Sequence, residues 1–221
     1  MIVLIDKSTK VSTVFSSLPK EYEGVMVLHA PVSKESLESV IETFKGKITQ
    51  IPPRRSAVSR KPRTREIVSL EVISFSGREV CFRVVCEAGT YIRKLCHDMG
   101  VTLGSGAHLQ ELRRTKIGNF HVSEAVSLEE FEKSKTPERY LVPVESALER
   151  AGIEMLAIKE GAIKKVKNGT PLDCSDILTE FSPRPERFVC IYDTNNGVVA
   201  LGKTRERPEG RKAVLIERVL L

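Results

Sequence analysis

The sequence predicts an α+β protein with a mixed, largely antiparallel sheet, flanking helices and a small β-barrel domain at its end. Three observations predict this class. Short apolar runs are joined in pairs by glycine-containing turns, and amphipathic helices lie between these pairs. The order of elements is not the strand–helix alternation of a parallel sheet. We expect the larger domain to span residues 1–150 and the smaller one residues 152–221.

The N-terminal part is predicted to contain two strands and a helix. Residues 2–5 (IVLI) are expected to form a buried strand and residues 22–29 a second one. Ser33 is a predicted N-cap and Gly46 a predicted helix end. Between them the apolar positions have the spacing of one helix face: Leu37, Val40, Ile41 and Phe44.

Residues 52–65, called the basic segment below, contain three prolines and six Lys or Arg but no acidic residue. Such a composition predicts an extended or irregular loop. Cations without a counter-charge repel one another, which favours a segment that contacts phosphates. A solvated surface loop is the alternative. The candidate contacts are Arg54, Arg55, Arg60 and Arg63.

A hairpin is predicted next, with strands at residues 67–75 and 79–86 joined through Ser76-Gly77. One face of its second strand should be buried, because apolar residues alternate at Val80, Phe82, Val84 and Cys86.

After Gly89 breaks the pattern, Thr90 is expected to cap a helix that Gly100 ends. A short element then carries Leu109 and Leu112, and Ser127 with Glu130 forms a predicted capping box for a further helix.

The C-terminal part has the pattern of a compact β-domain. A basic helix is predicted at residues 159–168, followed by strands at 188–192, 198–201 and 213–219. Asn195-Asn196-Gly197 separates the first two strands and is typical of a hairpin turn.

The chain has a net charge of +6 and an isoelectric point of about 9.1, so a polyanionic partner is expected. None of the five cysteines forms a C-x-x-C pair, and no cluster has the spacing of a zinc site, so we expect free thiols and no metal. No signal peptide or membrane-spanning run is recognisable. A soluble cytoplasmic protein without membrane contact is expected.

Several motifs together resemble the TruB/dyskerin family of RNA pseudouridine synthases, in particular its archaeal and eukaryotic dyskerin branch. Lys20-Glu21-Tyr22 resembles the family's KEY motif. Three further segments are similar to its Q-x-PP-x-x-SAV, C-x-x-GTYIR and GAH-x-x-ELRRT motifs: residues 51–58 (IPPRRSAV), 86–93 (CEAGTYIR) and 106–115 (GAHLQELRRT). The last 70 or so residues resemble an RNA-binding PUA domain through residues 169–172 (GTPL) and 199–203 (VALGK).

This resemblance implies a pseudouridine synthase fold and an enzyme that flips a uridine into a pocket and isomerises it without a metal or organic cofactor. An aspartate attacks the nucleotide, the glycosidic bond breaks, the uracil turns and a carbon–carbon bond forms. By their motif positions, Arg93 would pair with that aspartate, Tyr22 would stack on the base, Tyr91 would line the pocket and Leu112 would form an apolar wall.

The family's nucleophilic aspartate lies in a G-x-LDP loop, and these 221 residues contain no such sequence. Residues 2–22 resemble the segment that follows this loop, so the aspartate is expected a few residues before Met1, in an N-terminally truncated chain. Asp6 should not replace it, because a carboxylate displaced along the chain would not meet Arg93. A late start codon, a second polypeptide that supplies the aspartate, or an inactive relative would each explain its absence.

The implied partners are tRNA, or an H/ACA guide RNA with ribosomal RNA together with the small proteins of that ribonucleoprotein. The PUA domain would hold the RNA end through Lys164, Lys165 and the turn at Gly169. An RNA-binding module without catalytic activity, or one half of a split synthase, is the alternative.

Overall fold

The structure is a computed structural model that describes residues 1–52, 59, 61–180, 186–194, 197–206 and 212–220. Its helices are α1 (Ser12–Ser17), α2 (Lys34–Thr43), α3 (Ile92–Thr102), α4 (Leu128–Lys133), α5 (Val144–Arg150) and α6 (Ile163–Lys167). Short 3-10 helices lie at Asp6–Val11, Val122–Glu124, Pro137–Tyr140, Glu160–Ala162 and Cys174–Asp176.

Its strands are β1 (Lys20–Leu28), β2 (Gly46–Gln50), β3 (Arg63–Ser76), β4 (Glu79–Cys86), β5 (Ala107–Ile117), β6 (Phe120–His121), β7 (Glu154–Ala157), β8 (Leu172–Asp173), β9 (Phe188–Tyr192), β10 (Val198–Glu206) and β11 (Lys212–Val219). Contacts divide the chain into one unit of Ser17–Ala125 and another of Met1–Ser16 with Val126–Leu221. This division falls near residue 126, whereas the expected domain boundary at residue 150 remains a prediction.

The first unit is a six-stranded antiparallel sheet in the order β2-β3-β4-β1-β5-β6. Its main core contains the apolar faces of α2 and α3 together with alternate residues of the central strands. The predicted alternation on β4 is confirmed, because Val80, Phe82, Val84 and Cys86 are all buried. The predicted hairpin is formed by β3 and β4.

The second unit contains a five-stranded sheet in the order β7-β9-β10-β11-β8. Only the β7–β9 pair is parallel among the strand pairs of the described residues in this sheet. Its core combines strand residues with apolar residues of the short basic helix α6 and the turn before it. The predicted α+β class with largely antiparallel sheets is confirmed.

The strand predicted at residues 2–5 is wrong. This stretch forms no regular element, and Met1, Val3 and Ile5 are 87%, 63% and 54% exposed. An apolar run becomes a strand only where another strand can satisfy its backbone groups. None of the described strands pairs with this run.

Helix α2 confirms the predicted cap, since the Ser33 hydroxyl accepts a hydrogen bond from the backbone N–H of Ser36. The predicted end of this helix at Gly46 is wrong, because α2 ends at Thr43 and Gly46 is the first residue of β2. The predicted cap of α3 is also wrong: Tyr91 is the N-cap, and the Thr90 hydroxyl instead donates to the Glu87 carbonyl.

Helix α3 continues past its predicted end at Gly100 to Thr102. Gly100 instead permits the close approach of β5. A Cβ there would lie 2.2 Å from the backbone nitrogen of Ala107. The short element predicted around Leu109 and Leu112 is the eleven-residue strand β5. The helix predicted at residues 159–168 is shorter, with a 3-10 turn followed by α6.

Candidate functional site

Tyr22 and Leu112 lie on the helix-bearing face of the first unit's sheet. Tyr22 of β1 pairs with Val84 of β4, which is buried in the core beneath the helices. Two residues on, Gly24 pairs with Leu112 of β5. Because side chains two residues apart on a strand share a face, the aromatic ring and the apolar wall predicted for the site are neighbours.

Two β-bulges enclose this part of the β1–β5 pair. The register shifts between Glu21 and Tyr22, and again between Val25 and Met26. The first shift leaves Thr115 as the extra residue of β5 and sets Arg114 opposite Tyr22. Bulges turn side chains towards new directions and are frequent beside functional sites.

Gly24 allows the neighbouring strand and the core to pack closely against β1 between Tyr22 and Leu112. A Cβ at this position would lie 2.7 Å from the Glu111 carbonyl oxygen and 2.9 Å from the Phe82 ring. Any side chain would therefore displace the neighbouring strand or the core. Leu112 is 43% exposed, so an apolar surface at this edge of the site is accessible.

Two cationic residues accompany Tyr22 on the same strands. The Arg114 guanidinium, opposite Tyr22 in the β1–β5 pair, lies close enough to the Tyr22 hydroxyl to affect its pKa. Burial raises the pKa of Tyr22, and the nearby Arg114 charge opposes this effect only in part, so the phenol is neutral near pH 7. Burial and the Arg114 charge lower the pKa of Lys20. The surroundings of Tyr22 are therefore positively charged, which suits a nucleotide.

Tyr91 and Arg93 stand at the start of α3, shortly after Cys86 ends β4. Tyr91 is half-buried, and its backbone is hydrogen-bonded to the side chain of Gln50 at the end of β2. Arg93 is exposed on the first turn of α3, and no ion pair involves it among the described residues. Its pairing with a carboxylate stays a prediction.

Gln50 was missed by the sequence analysis. It is one of three buried polar or charged residues found in the described part of the chain, with 3% exposure. The available signal was its place directly before Ile51, where it matches the first residue of the Q-x-PP-x-x-SAV motif. Because Gln50 lies on the inward face of β2, its polar side chain needs a bonding partner.

The predicted phosphate contacts of the basic segment are only partly described. Arg54, Arg55 and Arg60 lie outside the described residues. Arg63 is half-buried at the start of β3 and pairs with Gln50 across the β2–β3 ladder.

The two lysines of helix α6 that are predicted to contact RNA lie in different environments. Lys164 is exposed. Lys165 donates hydrogen bonds of 2.9 Å to both carboxylate oxygens of Asp176. Gly169 is exposed with a φ of 68°, a backbone conformation that favours glycine in the turn after the helix. Lys164 is therefore the lysine of this pair that presents an uncommitted charge.

The described residues give little support to a metal site or to a membrane-spanning helix. They contain no group of three or more His, Cys, Asp or Glu side chains placed to hold a metal ion. None of their helices combines the length and apolar character that a membrane crossing requires.

Two family models match the chain. The first, described as TruB family pseudouridylate synthase (N terminal domain), matches residues 1–92. The second, described as tRNA pseudouridylate synthase B C-terminal domain, matches residues 93–149. Tyr22 and Tyr91 lie in the first match and Arg93 and Leu112 in the second. The PUA assignment of residues 152–221 lies outside both matches and remains a prediction.

Curated relatives bear the name probable tRNA pseudouridine synthase B. The protein of Archaeoglobus fulgidus is 37% identical over 91% of this chain and 65% of its own length. That of Methanopyrus kandleri is 39% identical over 90% and 62%. That of Saccharolobus solfataricus is 34% identical over 96% and 90%. The chain thus spans less than two thirds of the first two relatives.

Solved structures with the same fold include a chain of a Cbf5-Nop10-Gar1 complex. It has a TM-score of 0.83 and 34% identity over 98% of this chain and 71% of that one. A chain of an H/ACA RNP bound to a substrate RNA containing 2'-deoxyuridine has a TM-score of 0.78 and 31% identity over 98% and 70%.

Proposed function

Because the chain belongs to the TruB family of pseudouridine synthases, we propose that it takes part in the isomerisation of uridine to pseudouridine in RNA. One observation of the structure supports this function above others. Tyr22, Arg114 and Leu112 lie together on one face of the β1–β5 pair, next to Gly24. An aromatic ring, a cation and an apolar wall are what a flipped base requires.

Each of these residues has a proposed task. The target uracil stacks on the Tyr22 ring and packs against Leu112, while Tyr91 lines the pocket from the start of α3. As a neutral phenol, Tyr22 can donate a proton but is a poor base near pH 7. The Arg93 guanidinium holds the attacking carboxylate in its charged form through a charge-assisted hydrogen bond.

The proposed substrates are the T-loop uridine of tRNA and uridines of ribosomal RNA chosen by an H/ACA guide RNA. Curated relatives are named for tRNA, and a chain of similar fold is found in an H/ACA RNP. We extend to this chain the small protein partners found in the Cbf5-Nop10-Gar1 complex. The basic segment and Lys164 supply phosphate contacts, and residues 152–221 act as a PUA domain. Five free cysteines suit a reducing cytoplasm.

We further propose that these 221 residues form no pseudouridine on their own. They contain no G-x-LDP sequence, and Asp6 is a poor substitute for the missing nucleophile. Asp6 is exposed at the first position of a 3-10 helix, ahead of α1 and β1 in the chain. Attack on a nucleotide requires a carboxylate held within bonding distance of the reacting carbon.

The test combines turnover with binding. The chain is incubated with an unmodified tRNA transcript, pseudouridine is counted, and RNA affinity is measured in parallel. We expect binding without product, with Asp6→Asn binding equally well. Product from the wild-type chain that Asp6→Asn abolishes would show that Asp6 is the nucleophile. Absence of RNA binding at low salt would refute the proposed function.

A second candidate function is a non-catalytic RNA-binding module that uses the same surfaces. The exposed Lys164 on α6 supports it, since this residue needs no pocket to contact phosphate. The two functions differ in base preference. A uridine pocket favours RNA with a uridine at the target over the same RNA with an abasic site there, whereas a phosphate-binding module binds both alike.

A further inference from the structure

We infer that Gln50 is a positioning residue of the uridine pocket: its buried side-chain amide holds the backbone of Tyr91 and so fixes where α3 presents Tyr91 and Arg93. The inference rests on the proposed function, because it concerns the site in which these two residues would act. Gln50 is 3% exposed and therefore does not itself contact a base.

The contact between Gln50 and Tyr91 consists of two hydrogen bonds. The Gln50 side-chain oxygen accepts from the backbone N–H of Tyr91 at 3.0 Å, and its nitrogen donates to the Tyr91 carbonyl at 3.2 Å. A neighbouring strand would use the same pattern of one donor and one acceptor. Both polar ends of the amide are thereby directed at a single residue, which constrains its position and orientation.

The position of Tyr91 in α3 explains why an outside partner is useful. Tyr91 is the N-cap of this helix, with φ and ψ of −95° and 99°, and its side chain makes no capping hydrogen bond. Ser, Thr, Asp or Asn at an N-cap would turn the side chain back onto the helix. With Gln50 holding the backbone, the first turn is anchored while the phenol remains available to line the pocket.

The same turn is anchored at its other end by β3. The Glu87 N–H donates to the Glu66 carbonyl at 2.9 Å, and Arg65 lies 3.6 Å from the Glu87 carboxylate. Gly89, with a φ of 81°, lies under the Arg65 guanidinium, where a Cβ would approach its Nε to 3.2 Å. The turn from Glu87 to Tyr91 is therefore fixed at both ends by the strands that flank the basic segment.

Replacing Gln50 by leucine should release Tyr91 without a large change in volume. In Gln50→Leu we expect the Tyr91 amide to exchange with solvent about tenfold faster, because it loses its acceptor. The preference for uridine RNA over abasic RNA should fall by about fivefold or more, as the stacking surface is no longer held in place. Affinity for the abasic RNA should not change, which a general loss of folded protein would not produce.

Thr49→Leu is the matched control, since Thr49 precedes Gln50 on β2 and its side chain is exposed. It should leave both Tyr91 exchange and base preference as in the wild type. Unchanged Tyr91 exchange in Gln50→Leu would overturn the inference.

Gln50→Glu supplies an independent test with a pH readout. A protonated carboxyl keeps one acceptor and one donor, whereas an ionised one directs a second acceptor at the Tyr91 carbonyl. Base preference and Tyr91 protection in Gln50→Glu should therefore recover as the pH falls, and should stay low at every pH in Gln50→Leu. Equal pH profiles for Gln50→Glu and the wild type would also overturn the inference.

Failure of this inference and failure of the proposed function give different results. If the wild-type chain binds uridine RNA and abasic RNA equally, the uridine pocket is wrong, while Tyr91 exchange still reports the Gln50 contact. If the wild type prefers uridine and Gln50→Leu retains the full preference, the pocket stands and the positioning role of Gln50 is wrong.

Discussion

At the residue scale, Glu21 and Tyr22 show how neighbours in one motif serve different ends. The Glu21 carboxylate accepts a 2.7 Å hydrogen bond from the Thr115 hydroxyl and lies 3.3 Å from the Lys116 ammonium. Its side chain is 13% exposed. Glu21 thus joins β1 to β5 on one face, while Tyr22 points to the face of the site. The bulge leaves Thr115 in reach of Glu21 and sets Arg114 opposite Tyr22.

Thr115→Val should weaken this junction with little change in shape. Burial alone would raise the pKa of Glu21, but the hydrogen bonds from Thr115 and Lys116 and the charge of Lys116 outweigh it and lower the pKa below 4.5. A lowered carboxyl pKa stabilises the fold above the unfolded-state pKa, and this contribution is lost as the pH falls through the folded-state value. We expect Thr115→Val to cost about 1 kcal/mol near pH 7 and less at acid pH.

Denaturant unfolding of the wild type and Thr115→Val at a series of pH values measures this difference. Thr64→Val, on the exposed side of β3, is the control and should be close to neutral. A cost that stays constant down to pH 3 would show that the loss does not act through the Glu21 carboxylate.

At this scale, the sequence predicts a side chain's role when its hydrogen-bond partner is close to it in the chain. Ser33 and Ser127 could be identified as caps because each bonds a backbone N–H three residues away. The contact that Gln50 makes could not be identified in this way, because its partner Tyr91 is remote in sequence. The site residues were proposed by resemblance to a family, and Tyr22 and Leu112 are neighbours through a strand register that composition does not encode.

At the element scale, the wrong predictions of strands arise because strand pairing joins residues that are distant in sequence. Residues 2–5 have the composition of a strand but no strand beside them in the described structure. Strand β5 has many exposed polar residues, and it is a strand because β1 pairs along its length. The β3–β4 hairpin was predictable because its turn and alternation are adjacent in sequence.

Helix α6 allows stability and RNA binding to be separated. Lys165 neutralises the Asp176 carboxylate, whose side chain is 14% exposed, whereas Lys164 is exposed. Lys165→Ala should cost about 1 kcal/mol, because it leaves a mostly buried carboxylate without its cation. Lys164→Ala should change stability by less than about 0.5 kcal/mol but weaken RNA binding, because a phosphate contact is lost.

Thermal unfolding and RNA titrations of the two variants provide the measurement, and Lys133→Ala on the polar helix α4 is the control for removal of an exposed lysine. Asp176→Asn together with Lys165→Ala should recover part of the lost stability, since no charge remains unpaired. Equal RNA affinity for Lys164→Ala and the wild type would remove this helix from the interface.

At the scale of the whole molecule, two kinds of RNA contact are expected to add. The net charge of +6 and the basic segment provide attraction that does not depend on sequence. The proposed pocket around Tyr22 would add contact with a base, and this contact would neutralise few charges. Salt screens the first kind strongly and the second weakly, so ionic strength separates them.

We expect the affinity for uridine RNA and for abasic RNA to fall in parallel as salt rises, with their ratio nearly constant. Lys164→Ala should reduce the slope of log affinity against log salt by about 1 and leave the ratio unchanged, because it removes one phosphate contact.

Tyr22→Ala should leave the slope unchanged but lower the ratio by about fivefold or more, because a stacking surface is lost. Tyr22→Phe keeps the ring and should retain most of the ratio. A ratio that decays with salt as steeply as the affinities would mean that the uridine preference is itself electrostatic, and the pocket described by Tyr22, Gly24 and Leu112 would not be its source.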